Sequence, residues 1–228
     1  MIQRKMNHKT RAILINSPSN PTGTVLTKKS LEDVADITGR KCWIVSDEIY
    51  HGLSYKDQEH SILEFTNKAF VVNGFSKAFA MTGYRLGYVI APKPFIRTMQ
   101  ILNQNFFISA NSFVQKGGIA ALKAAPTYLP KIQALYDERR LAMLEGVRRI
   151  GFDVQVEPTG AFYILANAKK FCKKSHKFAL DILEHAGVGV TPGIDFGSGA
   201  EGYIRFSYAT SLENIKEGLR RIEHYVSK

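Results

Sequence analysis

The sequence predicts an α/β fold: a largely parallel sheet in the first half of the chain, followed by a smaller α+β part. Three observations carry this. Apolar runs at residues 12–16, 42–45, 69–73 and 85–91 are short and nearly uniform, as in strands covered on both faces. A helical pattern separates the first two, which a parallel crossover requires. Polar clusters rich in Gly, Pro, Ser and Asp follow the runs, at the strand ends where open parallel sheets take ligands.

The first run, Ala12–Asn16, ends in Ser17-Pro18-Ser19-Asn20-Pro21-Thr22-Gly23. Two prolines fix φ and remove backbone donors there, so the segment reads as an ordered loop at a strand end. Residues 28–40 follow as a helix, with Thr27 as N-cap and Leu31, Val34, Ala35 and Thr38 on one face. The strand at 42–45 closes on Ser46-Asp47-Glu48-Ile49-Tyr50, and the strand at 69–73 on Gly74-Phe75-Ser76-Lys77. A fourth strand spans 85–91.

Beyond Pro94 the pattern turns helical, at 95–105, 111–124 and a long stretch over 129–150. Short strands at 154–156 and 161–165 precede a helix at Ser175–Ala186. Strands at 188–191 and 203–208 lead to a last helix, Leu212–Val226, with Ser211 as its N-cap. The expected division is therefore residues 1–127 and 128–228, joined through the long helix.

Composition narrows the function classes. The 228 residues are 45% hydrophobic and 22% charged, enough to bury a core and unlike disordered or fibrous chains. Thirty-one Lys and Arg against 20 Asp and Glu give a net charge of +11, which raises a nucleic-acid reading. Its best support is Lys169-Lys170-Phe171-Cys172-Lys173-Lys174, continued by Lys177. No recognised nucleic-acid motif accompanies it, and the run reads as a solvated face, so neither nucleic acid nor membrane is expected as a partner. Cys42 and Cys172 are far apart, and the six histidines show no metal-ligand spacing. No disulfide framework or metal is expected, and the chain reads as cytoplasmic.

Taken one at a time, the strand-end residues have bland readings: surface lysine, helix-capping aspartate, core tyrosine. Together they do not. Residues 74–88 read Gly-Phe-Ser-Lys-Ala-Phe-Ala-Met-Thr-Gly-Tyr-Arg-Leu-Gly-Tyr. This segment resembles the pyridoxal-phosphate lysine signature of class I/II aminotransferases, enzymes of fold type I. Residues 17–23 resemble that family's Asn-Pro-Thr-Gly loop, residues 46–50 its Ser-Asp-Glu-Ile-Tyr segment, and residues 202–207 its carboxylate-binding strand. The four motifs stand in the family's order.

The resemblance implies transamination between an amino acid and a 2-oxo acid, by a homodimer using pyridoxal 5'-phosphate. Lys77 would form the Schiff base and act as catalytic base and acid. Asp47 would sit against the pyridine nitrogen, and Tyr50 and Asn20 would hydrogen-bond the phenolic oxygen. Ser76 and Arg85 would hold the phosphate, and Arg205 the substrate carboxylate, with Asn20 beside it. Related carbon–sulfur lyases resemble Asp-Glu-Ile-His where this chain has Tyr50, which favours transaminase chemistry. Family members carry a long section before the Asn-Pro-Thr-Gly loop, with a glycine turn for the phosphate and an aromatic residue on the ring. Met1–Asn7 holds no such turn, so a truncated or split enzyme or a start codon assigned late is expected, or a non-catalytic partner derived from such an enzyme.

Overall fold

The structure is a computed structural model that describes residues 2–39, 41–56 and 58–227. It divides into two compact units. The first holds the chain up to Pro18 and Val25–Lys131, and the second Ser19–Thr24 with the chain from Ile132 onward. The loop Ser19–Thr24 thus goes with the second unit, whereas a single cut at residue 127 leaves it with the first. The reason lies in the backbone: the N–H groups of Thr159 and Gly160 donate to Gly23 O at 2.9 and 2.8 Å.

In the first unit β1 (Ala12–Asn16), β2 (Trp43–Asp47), β3 (Ala69–Gly74) and β4 (Gly87–Ile90) form one sheet in that order. The first three are parallel and β4 runs antiparallel to β3. The direction of β4 follows from its connection, because residues 75–86 form a loop without the crossover helix that a parallel return needs. A short helix α1 (Ile2–Lys5) precedes β1, and α2 (Lys28–Thr38) joins β1 to β2. Thr27 caps α2, its hydroxyl accepting from Ser30 N at 3.2 Å. The expected helix ends at Thr38; of the residues beyond it, Arg40 lies outside the described ones. Leu31, Val34 and Ala35 bury their face against Ile15, Ile44, Ile62, Ala69 and Val71 on one side of the sheet.

The opposite side is only partly covered. Leu14 is 71% exposed, and Val72 and Val89, paired in register, are exposed as well. All four residues of β4 are exposed, so the expectation of a sheet covered on both faces does not hold there.

Helix α3 is Lys93–Phe106, and α4 runs unbroken over Ser112–Ile150. Two helices were expected over that stretch, at 111–124 and 129–150, and the structure joins them through a segment that contains Pro126 and Pro130. Each proline forgoes one N–H bond, and Thr127 Oγ1 donates to Ala124 O at 3.0 Å within the same turn. The division between the units comes one residue past Pro130.

The second unit is α+β. The strands β5 (Tyr163–Asn167), β6 (Thr191–Pro192) and β7 (Tyr203–Ser207) form an antiparallel sheet ordered β5-β7-β6. Helices α5 (Ser175–Ala186) and α6 (Leu212–Val226) bury Phe178, Ile182, Ile215, Leu219 and Ile222. Ser211 caps α6, accepting from Asn214 N at 3.2 Å. Two expected strands shrink. At 154–156 only Asp153 bridges to Asn167 before the chain leaves the ladder. At 188–191 the pairing covers Thr191 and Pro192, an edge where proline has no N–H to extend it.

Arg140 is the largest fully buried side chain, and it is paired: Nε donates to Asp137 at 2.7 Å and Nη1 to Glu157 at 3.1 Å. Other arginines behind the net charge also have acidic partners. Arg149 meets Glu223 at 3.5 Å, and Arg220 and Arg221 both meet Glu217, at 2.8 and 2.7 Å.

Candidate active site

Parallel register sets Asn16 beside Asp47, and Asp47 beside Val72, so the ends of β1, β2 and β3 form one polar edge. Asn16 Nδ2 donates to the backbone oxygen of Asp47 at 3.0 Å. Asp47 is the last residue of β2, and its Oδ1 accepts from Ile49 N at 3.2 Å, a turn that halts the strand. Its neighbour Glu48 has a different fate. Glu48 is buried, and its Oε1 accepts from Ser46 Oγ at 2.9 Å, Ser61 Oγ at 3.1 Å and Ile62 N at 3.1 Å. Its Oε2 lies 3.5 Å from His51 Nδ1. Of two adjacent acids, Glu48 is spent on the scaffold and Asp47 keeps carboxylate capacity.

Ser76 and Lys77 follow β3, at the start of the loop that returns as β4. Phe75 N–H donates to Leu86 O at 3.2 Å and closes that loop at its base. Inside it, Ala80 N donates to Lys77 O at 3.2 Å and Met81 N to Phe75 O at 3.2 Å. The base is narrow because both sides are glycine: a Cβ on Gly74 would stand 3.0 Å from Gly87 Cα. Lys77 Nζ lies 5.8 Å from the centre of the buried Tyr50 ring. Arg85 does not begin a strand as expected. It is a left-handed residue at φ 55° after a 3-10 turn, exposed, with Nη1 donating to Thr82 O at 3.0 Å. It borders a surface cavity of about 610 Å³ shared with Ser109 and Asn111. Among the described residues neither Lys77 nor Arg85 has a carboxylate partner.

In the second unit, Arg205 lies at the middle of β7, opposite Leu165 of β5 and Thr191 of β6. Its Nη1 donates to Asn20 Oδ1 at 2.7 Å and its Nη2 to Thr191 Oγ1 at 2.9 Å. The guanidinium carbon is 4.3 Å from the Tyr163 ring centre and 5.0 Å from that of Phe196. Its Nε is buried without a partner. Here too, no carboxylate offsets the charge among the described residues, in contrast with Arg140. Asn20 therefore keeps company with Arg205, while Asp47, Tyr50, Ser76, Lys77 and Arg85 belong to the first unit. Among the described residues no acid, histidine and cysteine grouping could hold a metal.

Residues 2–222 match the sequence profile of the family described as aminotransferase class I and II. The chain belongs to that family. As a class I and II aminotransferase chain it is 40% identical to a (5-formylfuran-3-yl)methyl phosphate transaminase of Methanocaldococcus jannaschii, over 100% of its own length and 60% of the relative's. It is also 40% identical to an aspartate aminotransferase of Pyrococcus horikoshii, over 96% of this chain and 57% of that one. The solved structure of an aspartate aminotransferase from Thermus thermophilus with maleate superposes at a TM-score of 0.92, with 36% identity over 98% of this chain and 59% of that one. The fold is that of fold-type-I aminotransferases, and the chain spans about three fifths of the length of the curated relatives it matches.

The aminotransferase chain has site residues that the sequence reading passed over. Thr191, Tyr163 and Phe196 surround Arg205, and none of the three is among the residues expected there. The strand register held the clue: Tyr163 sits across from Ser207, one side-chain repeat along the same face from Arg205.

Proposed function

We propose that this chain supplies the catalytic lysine and the carboxylate clamp of an aminotransferase that exchanges an amino group between an amino acid and a 2-oxo acid. The observation that carries the proposal is Lys77 at the carboxyl edge of the parallel sheet, in a chain whose residues 2–222 match the family. The transaminase names of its relatives support this chemistry over carbon–sulfur bond cleavage.

The residues fit pyridoxal 5'-phosphate by the chemistry of the donor set: an amine and a guanidinium without acidic partners, a carboxylate at a strand end, and a serine hydroxyl. When bound, this group supplies an aldehyde that takes amines and a ring that accepts electrons from the substrate Cα. Lys77 Nζ would hold the group through its aldehyde carbon with loss of water, and once displaced by the substrate amine would take the proton from the Cα of the donor amino acid. In the return half-reaction the same amine would give a proton to that carbon, once the amino group and electron pair have passed from the bound group to the 2-oxo acid. The Asp47 carboxylate would keep the ring nitrogen of the group protonated. The Tyr50 hydroxyl and the Asn20 amide would bond its phenolic oxygen, and Ser76 and Arg85 would hold its phosphate. Arg205 grips the substrate α-carboxylate as a planar fork and so orients the Cα–H bond.

We place the protein in the cytoplasm, as its two cysteines are both free. Self-association as a homodimer is supported by Phe106, Phe107 and Ile108, which are 74%, 75% and 81% exposed. A monomer by sedimentation at micromolar concentration would remove the dimer from the proposal.

The test is chemical trapping. After incubation with pyridoxal phosphate and reduction with borohydride, the label is expected on the peptide containing Lys77. A label spread over several lysines, unchanged in Lys77→Ala, sinks the proposal.

A further inference from the structure

We propose that Thr191 and Phe196 are positioning residues that lock the Arg205 fork in the orientation a planar carboxylate needs. This rests on the reading of Arg205 as the carboxylate clamp and says what gives that clamp its selectivity.

A free arginine side chain is long and has about 2 kcal/mol of rotamer entropy to lose. At Arg205 three independent restraints have removed that freedom before any ligand arrives. Thr191, directly opposite in the β6–β7 pair, accepts from Nη2 at 2.9 Å. Asn20 accepts from Nη1 at 2.7 Å, so both terminal nitrogens are held at once. The guanidinium carbon lies over the rings of Tyr163, at 4.3 Å, and Phe196, at 5.0 Å, which narrows the positions the fork can take.

None of these partners carries a negative charge. The positive charge is oriented but not neutralised, the opposite of Arg140, whose fork ends on Asp137 and Glu157. A group held rigid by neutral acceptors and aromatic rings keeps its charge for a ligand, and loses little entropy on binding one. Thr191 contributes through its hydroxyl alone. Phe196 contributes through its ring, carried on the 3-10 turn Gly193–Phe196.

The experiment uses the full chain and maleate as the carboxylate probe. Binding is measured by calorimetry for wild type, T191V, T191S, F196L and R205K, alongside thermal midpoints and the side-chain NMR signals of Arg205. T191V is expected to bind maleate about tenfold more weakly, since a hydrogen bond from a charged donor is lost, with an unchanged thermal midpoint. T191S is expected to restore binding to within about twofold, and F196L to weaken it about threefold. In the unliganded protein the Arg205 Nη protons are expected to be resolved in wild type and averaged in T191V. Wild-type affinity in T191V overturns the inference, and if R205K has lost binding the carboxylate clamp still stands. Wild-type affinity in R205K, or no maleate bound by wild type, overturns the clamp and the inference with it. Should T191V fail to fold, F196L decides: affinity equal to wild type overturns the inference.

Discussion

Asn20 Oδ1 accepts from Arg205 Nη1 at 2.7 Å across 185 residues of sequence. An amide is a neutral acceptor, so it orients Arg205 without cancelling the charge that the proposed carboxylate clamp relies on. Asn20→Asp would place a carboxylate where the amide stands and turn the pair into an internal salt bridge. Maleate binding is expected to fall at least tenfold in Asn20→Asp, and about threefold to tenfold in Asn20→Leu, which only removes the acceptor. Equal loss in both would mean that charge plays no part.

The loop carrying Asn20 depends on Gly23. Its φ is +69°, and an added Cβ would collide with Pro158 and stand 2.7 Å from Tyr163 O. Gly23→Ala is expected to lose about 2 kcal/mol of stability and to shift the Asn20 side-chain amide resonances. Thermal denaturation and a two-dimensional NMR spectrum check both.

Arg140 is 1% exposed and answers to two acids. Arg140→Met keeps most of the volume but takes the guanidinium from Asp137 and from Glu157, of which Glu157 still faces Arg148 at 3.5 Å. The expected cost is about 3 kcal/mol, read from the denaturant midpoint, with labelling of Lys77 retained in the folded fraction.

Acid sensitivity has a named contributor. Hydrogen bonds from Arg220 and Arg221 hold the Glu217 carboxyl down from its ordinary 4.5 to about 2. A carboxyl held down in the folded state favours folding above its unfolded value. That contribution falls away as pH drops from 4.5 through 2. The thermal midpoints of wild type and Glu217→Gln are therefore expected to differ at pH 6 and to converge by pH 2. The Glu217 carboxyl should titrate near 2 by NMR.

Much of this was legible before any coordinates, for identifiable reasons. β1, the capped helices α2 and α6, and α5 follow from apolar period and capping residues, which act locally. That Asp47 and Lys77 lie at strand ends was legible from apolar runs closing on polar clusters, whereas the roles proposed for them rest on the resemblance to the family's motifs. The continuity of α4 was not, since proline's local preference for a break was overridden along the helix. The surroundings of Arg205 were also hidden. Stacking by Tyr163 and Phe196 depends on which strands pair and in what register, and nothing in either residue's own neighbourhood states it.

The loop Ser19–Thr24 changes what counts as a separable piece of this protein. The six residues go with the second unit, yet the chain delivers them from the end of β1, ahead of most of the first. A fragment beginning at Ile132 would hold Arg205 and Thr191 but no Asn20. Recombination at a single junction in α4 would therefore graft in an arginine whose amide partner comes from the recipient. The Arg205–Asn20 pair, and with it the proposed carboxylate clamp, is inherited whole only when two distant stretches of gene travel together.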